Sequence, residues 1–157
     1  MQLKNFIFFI LFYLLLINNS FSASVSFICK FEDQTQEILI NKSEKKVYTK
    51  KLGSKKWREQ QDYIEDDKYI VWGTPLENFI NSEDYLVLSG LNKTSLKLNT
   101  RYYKYDFSKS KTVFFKWLSL NNYTEDYIRD NPRLLVNFLI YQVKDLKAET
   151  NIQFICE

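Results

Sequence analysis

Beyond residue 23, polar and apolar positions alternate cleanly at both ends of the chain. Val25, Phe27, Cys29 and Phe31 fall on one face of an extended segment, and so do Ile152, Phe154 and Cys156, because successive side chains of a strand point to opposite sides. Both cysteines therefore lie on apolar faces, and the pattern predicts first and last strands that run side by side. Between them, runs rich in Ile, Val, Tyr, Phe and Trp predict strands at residues 37–41, 47–51, 68–73, 84–89, 94–99, 101–107 and 112–118. Asn41-Lys42-Ser43-Glu44-Lys45-Lys46 reads as a hairpin loop, and Ser108-Lys109-Ser110-Lys111 as a tight turn.

Two segments break the alternation. Thr74-Pro75-Leu76-Glu77 matches a capping box with proline at the first helical position, which predicts a short helical turn over residues 75–80. From Asn131-Pro132 to Lys147, a 100° projection places Leu135, Val136, Phe138, Leu139, Val143 and Leu146 on one side, opposite Arg133, Asn137, Lys144 and Lys147. This predicts an amphipathic helix packed on the sheet, preceded by a shorter turn capped around Thr124-Glu125-Asp126. The fold class expected is α+β or mainly β. It is an antiparallel meander of about seven to nine strands, either an open sheet or a partly closed barrel, with one helix near residues 132–147.

The first residues follow a different rule. A polar start carrying Lys4 precedes an apolar run over residues 6–17 and then small residues up to Ser22 and Ser24. The run is shorter than the roughly 20 residues that cross a bilayer, so residues 1–22 read as a cleaved signal peptide and residues 23–157 as a single exported domain. After cleavage the chain is expected not to span a membrane and to work in the periplasm or outside the cell. In such an oxidising compartment the two cysteines are expected to form a Cys29–Cys156 disulfide.

Composition narrows the chemistry. The 157-residue chain has no histidine and only 3 Gly and 2 Pro. Ser-His and Cys-His nucleophile pairs are thereby excluded, as are glycine-loop nucleotide sites and collagen-like or low-complexity designs. Cations concentrate between residues 42 and 58, where Lys42, Lys45, Lys46, Lys50, Lys51, Lys55, Lys56 and Arg58 face Glu44 alone. The seven from Lys45 onward are candidates for contact with an anionic partner. The acidic stretch Glu59, Asp62, Glu65, Asp66 and Asp67 follows at once, and a solvated hairpin balanced by this neighbour is the competing reading.

Aromatic residues make up 17% of the chain. Trp57, Tyr102, Tyr103 and Tyr105 are candidates for stacking on a sugar or peptide, with Trp72, Trp117 and Phe107 as further aromatic landmarks. Against this stands a compositional bias toward Lys, Asn, Ile, Phe and Tyr, under which aromatics fill core positions that other chains give to Leu or Ala. The carboxylate pairs Asp66-Asp67, Glu83-Asp84 and Glu125-Asp126 could act as acid and base without histidine. Each also sits where a turn or helix start favours charge. No catalytic residue, cofactor or metal site is assigned: the acidic run Glu65-Asp66-Asp67 lacks the spaced ligands and glycine of a calcium loop. Asn41, Asn92 and Asn122 lie in glycosylation sequons at a frequency near that expected by chance.

Cys29, the residues 38–40 of an isoleucine-rich hairpin, Tyr69 to Trp72, Tyr105-Asp106-Phe107 and Cys156 together carry a resemblance. The chain resembles small, uncharacterised exported proteins of bacteria with AT-rich genomes, which share a signal peptide, a β-rich domain and cysteines in the first and closing strands. That resemblance implies no activity. Three roles are expected to compete: a non-enzymatic binding or envelope-associated module, a small carboxylate-dependent hydrolase, and a lipocalin-like carrier of a small ligand. The partners expected are an anionic or glycan surface or another envelope protein, and nucleic acid is not among them.

Overall fold

The computed structural model describes residues 24–157, so the expected signal segment over residues 1–22 lies outside the described residues. Eight antiparallel strands close into a barrel in chain order: β1 (Ser24–Phe31), β2 (Gln34–Asn41), β3 (Lys46–Lys51), β4 (Arg58–Glu65), β5 (Tyr69–Ile80), β6 (Glu83–Asn92), β7 (Lys97–Lys104) and β8 (Thr150–Cys156). Hairpins connect β1 through β7. The crossing from β7 to β8 carries a 3-10 turn (Phe107–Lys109) and the helices α1 (Ser110–Asn121), α2 (Glu125–Asp130) and α3 (Leu134–Val143).

The ring closes through a short seam. β1 and β8 share two cross-strand pairs, Cys29 with Cys156 and Lys30 with Ile155. The first of these pairs is covalent, a disulfide spanning 127 residues of sequence. Ile28 and Glu157 exchange both backbone hydrogen bonds at 3.0 Å, and an ion pair joins Lys30 to Glu157 on the outside. The alternation read from the sequence therefore places both sulfurs inside, where Cys29 is fully buried.

One end of the barrel interior is filled. Ile38, Ile40, Val47, Leu91 and Leu98 are buried to within 1% exposure and pack with Tyr63, Ile70, Trp72 and Phe154. Phe31 meets Phe154 edge-on at 5.8 Å between ring centroids. On the outside, α3 lies against β4, β5 and β6 and sets Leu139 and Val143 beside Leu86, Leu88 and Tyr103. Gly73 permits this approach: a Cβ there would stand 2.6 Å from Leu139 Cδ1 and 3.0 Å from Leu88 Cδ2. A separate cluster of Trp117, Leu118, Ile128 and Phe138 ties the three helices to one another.

Several local expectations are corrected. Residues 75–80 are not helical but extend β5, with Pro75 opposite Leu86. Pro75 lies in the part of β5 that extends past its register pairs with β4 at Tyr63 to Glu65, and proline is tolerated in a strand where its missing N–H is not called on by the ladder. Residues 112–118 are helical, not extended, because both edges of β7 are already occupied by β6 and β8. The expected tight turn over residues 108–111 is instead the 3-10 turn running into α1, with Asp106 capping it by accepting the Ser108 N–H at 3.0 Å. Residues 94–99 and 101–107 are not two strands: one strand, β7, covers 97–104, after a turn in which Asn92 accepts the N–H groups of Thr94 and Ser95. β4 carries too few apolar residues to announce itself. The Thr124 cap of α2 stands where it was expected; α3 lies within the expected 132–147 span but ends at Val143, and Leu135 and Leu146 of its expected packed face are exposed.

Two measurements test these contacts. Replacing both cysteines, Cys29→Ala with Cys156→Ala, is expected to cost about 2–5 kcal/mol in urea denaturation of the purified protein, the usual effect of opening a long covalent loop. A loss below about 1 kcal/mol would show that the ladder closes the ring unaided. Gly73→Ala is expected to destabilise by about 1–3 kcal/mol through overpacking, with part of the loss recovered by Leu139→Ala in the same chain. Strict additivity of the two changes would contradict the contact.

Candidate functional site

The other end of the barrel interior is hollow. Its inner compartment has a volume of about 220 Å3 and is bounded below by Trp72, Leu98 and Phe154, with Thr74, Val87 and Tyr102 rising beside them. An outer compartment of about 590 Å3 adjoins it toward solvent, between the β1–β2 turn and the β3–β4 loop. Gln36, Thr49, Arg58 and Phe154 line both, so the two form one stepped recess.

Register decides which side chains face this recess. Ile38 and Cys29 point inward, and the pairs Cys29 with Gln36, Gln36 with Lys51, and Thr49 with Arg58 place all of these residues on the same inner face. The upper inner surface of β2, β3 and β4 is thus polar and basic, above an apolar floor. Inside the wall, Ser89 and Thr100 satisfy one another through a buried hydroxyl hydrogen bond of 3.1 Å. At the rim of the long β5–β6 hairpin, Phe79 stacks on Tyr102 at 6.3 Å and meets Tyr85 edge-on at 6.2 Å.

The basic residues singled out by the sequence separate into groups. Lys50, Lys51, Lys56 and Arg58 line the outer compartment. On the outer wall Lys50 is ion-paired with Glu37 at 2.8 Å and lies 4.5 Å from the Trp57 ring centroid, and Lys46 is ion-paired with Asp62 at 2.9 Å. Lys45 belongs to a charged depression at the filled end with Glu65, Asp66 and Lys93, while Lys55 is exposed in the β3–β4 loop. The aromatic group divides in the same way. Tyr102 faces the recess, Tyr103 is buried against α3 on the outer wall, and Tyr105 packs on Phe107 at 5.0 Å and accepts a hydrogen bond from Gln142 at 2.7 Å. Gln34, Gln36, Thr49 and Phe154 were not recognisable from the sequence. Their only signal is the period-2 alternation that puts them on the face of Cys29 and Ile38.

At least one carboxylate of each pair is committed to local structure. Asp66 accepts the N–H groups of Lys68 and Tyr69, both at 2.7 Å, and these bonds, Tyr69 first, lower its pKa. That is the direction opposite to the one a general acid needs. Asp84 accepts the Asn78 N–H at 2.9 Å, Glu83 pairs with Lys104, and Asp126 pairs with Arg129 at 2.8 Å. Among the described residues no group of three or more Asp, Glu or Cys is gathered in the way a metal ion requires.

Phenols respond to the same environment. Burial raises the pKa of Tyr102 in the recess and, with help from Glu65, that of Tyr63 in the core. A hydrogen bond of 2.9 Å to Glu149 raises that of Tyr85. A pKa raised by folding means that the native state favours the protonated phenol. This stabilisation is complete below the ordinary phenol value of 10.0 and is lost as pH climbs through the higher folded values. Urea midpoints are therefore expected to fall as pH rises above about 10, and to fall less steeply in Tyr102→Phe. An identical slope in the variant would remove Tyr102 from the account.

Comparison of the chain with protein families, with curated proteins and with solved structures finds no match.

Proposed function

We propose that the chain is an exported, non-enzymatic binding module that carries one small ligand in the hollow end of its barrel. One observation carries this reading: an eight-stranded closed barrel whose interior is packed at one end and open at the other, over a floor of Trp72, Leu98 and Phe154. Eight strands enclose an interior that side chains can just fill, or that can hold a single small ligand where they do not. The recess combines an apolar floor with polar groups higher on the wall, which suits a ligand with one apolar part.

Export is supported by the signal-like first segment and by the disulfide at the seam. Among the described residues no helix is long and apolar enough to cross a membrane. The outer faces of the seam strands carry Ser24, Ser26 and Lys30 on β1 and Asn151 and Gln153 on β8, with Ile28 and Ile155 as isolated apolar residues among them. A lipid-facing strand would instead need an apolar band there, so the reading is of a barrel in water. The hydrolase alternative finds its carboxylates already employed in turns and caps.

The test uses the oxidised mature chain and N-phenyl-1-naphthylamine, a neutral fluorophore that brightens in apolar surroundings. Saturable binding at one site is expected, with a dissociation constant on the order of micromolar and an upward shift of the thermal midpoint. Val87→Phe, which fills the inner compartment, is expected to weaken binding at least about tenfold. Absence of saturable binding up to about 1 mM protein would overturn the carrier reading.

A further inference from the structure

We infer that the ligand is an amphipathic anion: its apolar part rests on Trp72 and Phe154, and its negative head group lies between Lys51 and Arg58. The inference rests on the carrier reading and adds to it the chemical class of the ligand. Its basis is a difference between the two faces of one basic hairpin. On the outer face each strand lysine has a carboxylate opposite, Lys46 with Asp62 at 2.9 Å and Lys50 with Glu37 at 2.8 Å. On the inner face Lys51 stands opposite Gln36 and Arg58 opposite Thr49. Among the described residues no carboxylate is ion-paired with Lys51, Lys56 or Arg58.

Lys51 and Arg58 are exposed, so they stand hydrated at the mouth of the recess, directly above its apolar floor, where an anion entering from solvent meets both. The neighbours fit that role, because Gln34 and Gln36 line the same compartment with amide groups able to donate hydrogen bonds. Among the described residues Asp33 is the one acidic residue of this lining, against the three cations Lys51, Lys56 and Arg58 that have no carboxylate opposite them. The basic zone and the apolar floor meet at Phe154, which lines both compartments. A ligand can therefore reach both at once. The guanidinium of Arg58 offers a planar pair of donors to a carboxylate, sulfonate or phosphate, and Lys51 supplies a second positive charge.

1-Anilinonaphthalene-8-sulfonate tests this directly, because it is the neutral probe used above with one sulfonate added. At low salt the sulfonate is expected to bind at least about tenfold more tightly than N-phenyl-1-naphthylamine, with the gap closing as salt rises. In Lys51→Gln with Arg58→Gln the gap is expected to shrink to within about threefold while the neutral probe binds as before. Neutral binding without a preference for the sulfonate would overturn the anion assignment and leave the carrier reading standing. A preference that survives in the double variant would place the head group elsewhere and also overturn it. Loss of heparin retention in the double variant, with no sulfonate preference in the parent, would assign the cations to a polyanionic surface instead. Failure of both probes would remove the carrier reading, and this inference with it.

Discussion

A sheet closed on itself has no free edge, and in this chain that condition is met through very little ladder. Most other adjacent strands pair over longer stretches, eight residues in the case of β1 and β2. β1 and β8 meet over two pairs, one of them the disulfide. A covalent bond reinforces the shortest join, and the alternative to closure is an open sheet with two exposed rows of N–H and C=O groups. The interior then has a fixed width, and the choice between filling it and leaving it hollow is made strand by strand.

That choice gives the barrel two unlike halves. Branched aliphatic residues close the end near the β2–β3, β4–β5 and β6–β7 turns. Toward the other end the same strands continue with Gln36, Thr49, Lys51 and Arg58, residues that cannot close a core. The long β5–β6 hairpin stands beside this gap as a wall, and α3 supports it from outside at Gly73. The helices thus brace the barrel where its inside is emptiest. Packing and hollow are two consequences of one alternation pattern, read on opposite faces of the same strands.

Much of this plan was legible in the sequence. The alternation around Cys29 and Cys156 needed no tertiary information to place the seam, and the 3.6-residue period of α3 held at Val136, Phe138 and Val143. What misled was local pattern without its neighbours. Thr74-Pro75-Leu76-Glu77 has the chemistry of a helix start, yet ladder bonds to β6 outweigh one cap. Val113, Phe114, Trp117 and Leu118 suit a helix, while Val113, Phe115 and Trp117 suit a strand, and only the saturation of β7 by its partners decides. β4 was hidden because it is mostly polar. The recess was legible as a run of cations but not as a site, since inward and outward lysines are told apart only by register. The shift in pairing between Lys46 and Tyr48 cannot be read from β4's sequence at all.

The position of the seam also sets an order of events. β8 is the last strand of the barrel to be made, and it follows a helical insert of more than forty residues after β7. During vectorial synthesis, Cys29 emerges early and has no partner until every other strand has been made. Hairpins β1 through β7 can form locally and quickly, but the edges of β1 and β7 stay unpaired until β8 arrives between them. With two cysteines in the whole chain, no wrong intramolecular bond competes for Cys29 in that interval. The disulfide therefore acts as a completion mark, and the chain's vulnerable time is the span over which it waits for its own final strand.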